Sequence, residues 1–301
     1  AGNCQVWTPM VLARPLQRVW GPSQGADGVL TVFGVGDPNQ AGTLFWTNGN
    51  DADTTSPLNS LEITSPSEAL QHGSSFDTRD YIWSTDRMFV LHPGPTTGPQ
   101  LVAAVIPGAK GLLTPWAFTV GPRIWWLSKD GIYESVGGEP ASITDADLYP
   151  FFPHDNEGPQ SVNGLNPPNF TLPNFLRLTY HDGLLFFDYV EMATGFPKTL
   201  VFDTVARIWL SIDDFGFSAP IARDSEEGVG YHGMVLASDG VLYNASGMSD
   251  AGGAIGFQLQ TGSMDQGDNR ARKLYAEIQL HSNPNGAGLD VYVLGDGGGT
   301  V

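Results

Sequence analysis

The residues best suited to chemistry in this chain are carboxylates and amides crowded into loops. Asn48, Asn50, Asp51 and Asp53 share one short segment, and Asp145 and Asp147 share another. Oxygen ligands at this density are the donor set of Ca²⁺. Neither segment has the EF-hand spacing or its closing bidentate Glu, so the expectation is a pair of solvated acidic loops. His72, His92, His154, His181, His232 and His281 are scattered, with no HExxH or other ligand spacing. Gly34-Val35-Gly36 follows a strand-like run, but Asp37-Pro38 comes next and no helix follows whose N-terminus could hold a pyrophosphate. There is no G-x-S-x-G elbow, no P-loop lysine, and only one cysteine, Cys4. A glycosidase needs two convergent carboxylates, and among 32 acidic residues their mere availability decides nothing. The expectation is therefore no catalytic residue, no cofactor-binding residue, no cofactor and no metal ligand. Two N-x-S/T sequons, at Asn169 and Asn244, are read as chance.

One other kind of chemistry fits the loops. Tyr149, Phe151, Phe152 and Phe170 lie in or beside the Pro-rich segment 150–173 (PFFPHDNEGPQSVNGLNPPNFTLP). Exposed loop aromatics of this kind stack on sugar rings, which keeps a glycan-binding reading open. Trp46, Trp83, Trp125, Trp126 and Trp209 instead occupy strand-like runs and are expected to pack one sheet on the next.

Composition sets the frame that must position these groups. Fourteen Lys and Arg face 32 Asp and Glu, a formal charge of −18, which disfavours non-specific binding to phosphate backbones or anionic lipid. Hydrophobic residues make up 41% and charged residues 15%, too apolar for disorder. Gly and Pro together supply about one residue in five, a load that helices do not tolerate. No apolar stretch reaches the roughly 18 residues of a membrane-spanning helix, and the N-terminus lacks the blocks of a signal peptide. All-β is the expected class, with one short helix as the exception. Ser65 would be its N-cap, Pro66 its first residue, Glu68 its capping-box partner and Gly73 its stop.

A repeat organises the strands. WWLSKDGIYESVGG (125–138) and MVLASDGVLYNASG (234–247) share an apolar run, Ser, Asp-Gly and a Tyr-bearing strand. YIWSTDRMFVLHPG (81–94), LTYHDGLLFFDY (178–189) and ADGVLTVFG (26–34) are looser copies. Asp-Gly between strand-like runs predicts a two-residue hairpin turn with positive φ at both positions. The turn aspartates Asp27, Asp86, Asp130, Asp182 and Asp239 are 59, 44, 52 and 57 residues apart, near the pitch of four-stranded propeller blades. LVFDTVARIWLSI (200–212) adds a hairpin opened by Asp203-Thr204, with Trp209 on the returning strand. The spacing predicts a β-propeller of about five to six blades over 1–255. Residues 256–301 would close the propeller or begin an appended β-sandwich. The missing initiator Met and the ending VYVLGDGGGTV make the chain an expected fragment of a longer polypeptide.

In order, GPRIWWLSKDGIYE, SITDADLYPFFPHD, LRLTYHDGLLFFDY, KTLVFDTVARIWLSID, MVLASDGVLYNASG and SMDQGDNRARKLYAEIQL resemble virion structural proteins of tailed bacteriophages, over about residues 55–285. The nearest in kind are the β-propeller nozzle proteins at the tail end of short-tailed phages. That resemblance implies a non-enzymatic subunit without a cofactor, in a hexameric ring with copies of itself and other tail proteins, located in the virion and assembled in the host cytoplasm. Nozzle proteins are longer than this chain, and the family carries no catalytic motif to transfer. DNA would pass through the ring without specific binding, since an acidic wall offers phosphates few cations. No membrane insertion is expected. The alternatives are a glycan-binding propeller for host-surface recognition and, behind it, a hydrolase propeller. For the latter, the Ser-x-Asp-Gly repeat is similar to the Asp-box of sialidases but lacks its Gly-x-Thr-Trp continuation.

Overall fold

A computed structural model describes residues 16–24, 30–51, 56, 58–94, 101–154, 157–212, 220–223, 233–238 and 241–244, all within the compact unit Ala1–Gly247. The expectations for Cys4, Asp53, His232, His281 and residues 256–301 lie outside these. The described chain is all-β. Successive strands pair antiparallel with their sequence neighbours, forming one meander after another. The first sheet holds β1 (Arg18–Gln24), β2 (Leu30–Val35), β3 (Thr43–Trp46) and β4 (Ser60–Glu62). The second holds β5 (Leu70–Phe76), β6 (Arg79–Ser84), β7 (Met88–Pro93) and β8 (Leu101–Val105). The third holds β9 (Phe118–Val120), β10 (Ile124–Leu127), β11 (Ile132–Ser135) and β12 (Ala141–Ser142). The fourth holds β13 (Arg177–His181), β14 (Leu184–Val190), β15 (Pro197–Asp203) and β16 (Ile208–Ile212). Three further strands form a fifth sheet, β17 (Pro220–Arg223), β18 (Gly233–Ser238) and β19 (Val241–Asn244).

Strand alternation explains how these sheets stack. Successive side chains on a strand face opposite sides, and here both sides are buried. On β6, Ile82 joins a core with Phe33, Val35, Leu44 and Trp46 of the first sheet, while Tyr81 and Trp83 join one with Ile124, Trp126 and Tyr133 of the third. On β10, Trp126 faces the second sheet and Trp125 the fourth, where it meets Leu178, Leu185 and Phe187. The second and third sheets are thus each sandwiched between their neighbours in sequence. Trp46, Trp83, Trp125 and Trp126 are buried, as expected of core residues, and Trp209 packs partly buried against the third core. Trp83 and Trp126 meet at 5.7 Å across one interface, and Trp125 stacks on Tyr180 at 4.8 Å across the next. Indole N–H groups tie the third and fourth sheets each to the tail of the previous one. Trp126 Nε1 donates to the Lys110 carbonyl at 3.1 Å, and Trp209 Nε1 to the Ile143 carbonyl at 2.9 Å.

The hairpins are of two kinds. Asp182-Gly183 is the predicted two-residue turn, with φ of 43° and 82°, between His181 and its partner Leu184. Asp130-Gly131 is not. Leu127 pairs with Ile132 across a four-residue loop in which Ser128 N–H donates to the Gly131 carbonyl, so Lys129 and Asp130 are the central pair. Ser84-Thr85-Asp86-Arg87 is built alike, with Ser84 N–H donating to the Arg87 carbonyl. There the Ser84 hydroxyl also accepts from Arg87 N–H at 2.9 Å, organising the turn without glycine. Asp27 and Asp239-Gly240 lie outside the described residues, but antiparallel strands flank both positions. The Asp182 turn joins the first and second strands of its sheet, whereas the loops at Asp86 and Asp130 join second and third strands. That difference contributes to the uneven spacing of the aspartates, and the long segment between β12 and β13 lengthens the interval from Asp130 to Asp182.

The expected helix at 65–73 does not form. Its capping segment makes a turn closed by Glu68 N–H to the Ser65 carbonyl, and the Ser65 hydroxyl bonds Ser67 instead of capping. From Leu70 the chain pairs with β6 through Phe76. Tertiary pairing wins because two turns of isolated helix are marginal in water, whereas β5 gains a full antiparallel partner. Gly73 is a close approach rather than a stop, since a Cβ there would lie 2.3 Å from the Trp20 ring.

Candidate functional site

The first strands of the first four sheets lie side by side. The Trp20 ring of β1 covers Gly73 of β5. His72 of β5 stacks on Phe118 of β9 at 4.4 Å. Thr119 Oγ1 of β9 accepts from Tyr180 N–H of β13 at 3.2 Å. Where these four strands begin, a pocket of about 450 Å³ opens. Gln17 and Arg18 enter from the start of β1 and Gln71 from the start of β5; Leu113–Trp116 precede β9, and Pro173 and Asn174 precede β13. The Arg18 guanidinium lies 3.8 Å from the centre of the Trp116 ring, and that of Arg177 lies 6.0 Å from it. Trp116 is 48% exposed, unlike the strand tryptophans. A cation over an indole face is an attractive electrostatic contact, and burial lowers the pKa of Arg18. Trp116 is fixed from behind, since its carbonyl accepts from Leu178 N–H at 3.4 Å.

A second cleft, about 650 Å³, lies between the turns of the second and third sheets. Its charges pair with one another. Lys110 Nζ meets Asp130 at 2.9 Å, and Lys129 Nζ meets Asp86 at 2.6 Å. Tyr149 and His154 stack at 3.7 Å on its wall. Burial, helped by Asp130, raises the Tyr133 hydroxyl pKa. Among the described residues both lysines of the cleft are paired with its aspartates.

The residues singled out by sequence are dispersed. Phe151 and Phe152 are not exposed platforms: both are buried in the core between the third and fourth sheets, with Phe170 packed partly buried against them. The Pro-rich segment reaches back to fill that core, so apolar surface wins over solvent display. Of the four aromatics, Tyr149 alone is half-exposed. Asn48 and Asn50 are consumed by local structure, accepting from Asn59 Nδ2 and Leu30 N–H at 3.0 Å each. Asp145 accepts from the Ser142 hydroxyl at 2.6 Å. Gly34-Val35-Gly36 ends a strand, with no helix beyond it. His72 is held near a pKa of about 4, chiefly by burial. Among the described residues no group of three or more His, Cys, Asp or Glu is placed to hold a metal ion, and no helix is long and apolar enough to cross a membrane.

The buried carboxyls Glu134 and Asp188 were among those not singled out by sequence. Glu134 on β11, 5% exposed, accepts from Arg207 Nη1 at 2.8 Å and from Trp125 Nε1 at 3.3 Å. Asp188 on β14 accepts from the Thr199 hydroxyl at 2.6 Å, and burial pushes its pKa up to about 7. Glu134 ties the third sheet to the fourth, Asp188 bonds across strands within the fourth, and both lie outside the two clefts. Alternation of apolar and polar residues would have placed them on a sheet face, but the burial of both faces was not visible from the pattern. No protein-family model matches the sequence, and no curated protein matches it either.

Proposed function

We propose that the chain is a β-propeller and acts as a structural subunit of a tailed-phage particle, of the tail-nozzle or another tail or neck type. It assembles with copies of itself and other tail proteins into a ring around the DNA channel, and it carries out no catalysis. The observation that carries the reading is the run of antiparallel meanders stacked face to face in sequence order, with first strands adjacent and aromatic cores between them. Propeller blades are built in this way. The bacteriophage resemblance of the repeat segments supplies the setting. The formal charge of −18 supports passage of DNA past a wall that does not hold phosphates.

Negative-stain electron microscopy of the protein at high concentration tests the assembly. Rings or short tubes with a central channel are expected. Single particles of one chain at all concentrations would overturn ring assembly as its role.

A further inference from the structure

We propose that the pocket around Trp116 binds an acidic sugar, a pyranose carrying a carboxylate. The first argument is charge. Cations are scarce in this chain, and among the described residues Arg87, Lys110, Arg123, Lys129 and Arg207 all pair with a carboxylate. Arg18 and Arg177 have no such salt bridge among the described residues, yet both lie against the same indole. The buried Arg177 Nε has no hydrogen-bond partner. Arg177 has Asp188 opposite it on β14 and stands beside the pocket, whereas Arg18 lines it. A guanidinium with no carboxylate partner among the described residues, in a protein with more than two acids per base, is a positive spot that a carboxylate satisfies through charge-assisted hydrogen bonds.

The second argument is the rest of the lining. Gln17, Gln71 and Asn174 bring carboxamides and Thr114 a hydroxyl, groups that both donate and accept. A bare oxyanion can use only donors. A hydroxyl-rich ring uses both kinds, while Leu113, Pro115, Pro173 and the exposed part of Trp116 meet its C–H faces. A neutral sugar would leave the Arg18 guanidinium unanswered, and inorganic phosphate would leave the carboxamide acceptors and apolar wall idle. The volume, about 450 Å³, is of the order that encloses a small ligand. The inference rests on the pocket and not on ring assembly, so either can fail without the other.

Saturation-transfer NMR on the full chain, titrated separately with trigalacturonate, its methyl ester and inorganic phosphate, tests the assignment. Trigalacturonate is expected to bind saturably. The ester and phosphate should each bind at least about tenfold more weakly, the loss of a charge-assisted hydrogen bond or of the sugar contacts. Arg18→Gln and Trp116→Ala should each weaken trigalacturonate binding about tenfold without altering the melting temperature. Asn174→Ala provides a third variant should either fail to fold. No saturable binding up to about 10 mM, equal binding of the ester, equal binding of phosphate, or full retention in the folded variants would each overturn it.

Discussion

Asp188→Asn should change how stability depends on pH. Asp188 is 5% exposed, its Oδ1 accepts from Thr199, and its Oδ2 has no partner. Burial raises its pKa from 3.8 to about 7, against the opposing pull of Thr199 and Arg177. Below pH 3.8 the carboxyl is protonated whether the chain is folded or not, so its ionisation costs the fold nothing. As pH rises from 3.8 to 7, the unfolded state releases the proton while the folded state keeps it, and stability falls. Three pKa units at about 1.4 kcal/mol each make the whole loss about 4 kcal/mol. His72 works in the opposite sense. Its pKa is lowered from 6.5 to about 4, so the unfolded state binds the extra proton in that window and stability rises with pH. The two slopes oppose each other between pH 4 and 6.5 in the wild-type chain. Asn retains an acceptor for Thr199 and cannot ionise, so Asp188→Asn removes one slope and leaves the other. Urea unfolding of both proteins from pH 4 to 8 gives the difference directly, and the titrations they share cancel. The variant should gain about 4 kcal/mol relative to wild type across that range, whatever fixed cost the new N–H donors bring. A difference independent of pH would refute the burial of a protonated carboxyl.

Two further substitutions test the packing and the turns. Trp126→Ala removes a fully buried indole from between the second and third sheets and should cost about 3–5 kcal/mol in chemical denaturation. Gly131→Val combines φ of +157° with a Cβ placed 2.5 Å from Thr144 Oγ1, which accepts from Ile132 N–H. It should lose about 1–3 kcal/mol, whereas Gly138→Ala, in open space, should melt within about 1 kcal/mol of wild type.

The class and most strand positions were legible because they depend on local chemistry. Short apolar runs between turn residues are strands whatever lies beyond them, and Asp182-Gly183 fixed its own turn through positive φ. The failures share one cause. Ser65-Pro66-Ser67-Glu68 carries a helix-start pattern, but Leu70–Phe76 has a partner strand in β6 that a capping motif cannot reveal. Asp77-Thr78 makes a two-residue turn at φ of 45° and 65° without any glycine, held by the pairing of Phe76 with Arg79. Phe151 and Phe152 sit in a loop by every sequence criterion, and only the stacking of the third and fourth sheets offers them a core.

The pocket was invisible for a stricter reason. Its members come from four places in the sequence, Gln17-Arg18, Gln71, Leu113–Trp116 and Pro173-Asn174, and no spacing rule links them. They meet because each stands at the start of a first strand, and first strands of successive sheets lie together. A site of this kind is specified by topology, so its residues need carry no motif. Trp116 was the one legible sign. It follows Thr114-Pro115 and precedes the strand instead of lying within it, and the tryptophans inside strands are core. An indole outside the strand pattern has no neighbouring sheet to bury it, so its exposed face, with Arg18 laid against it, is left for something other than packing.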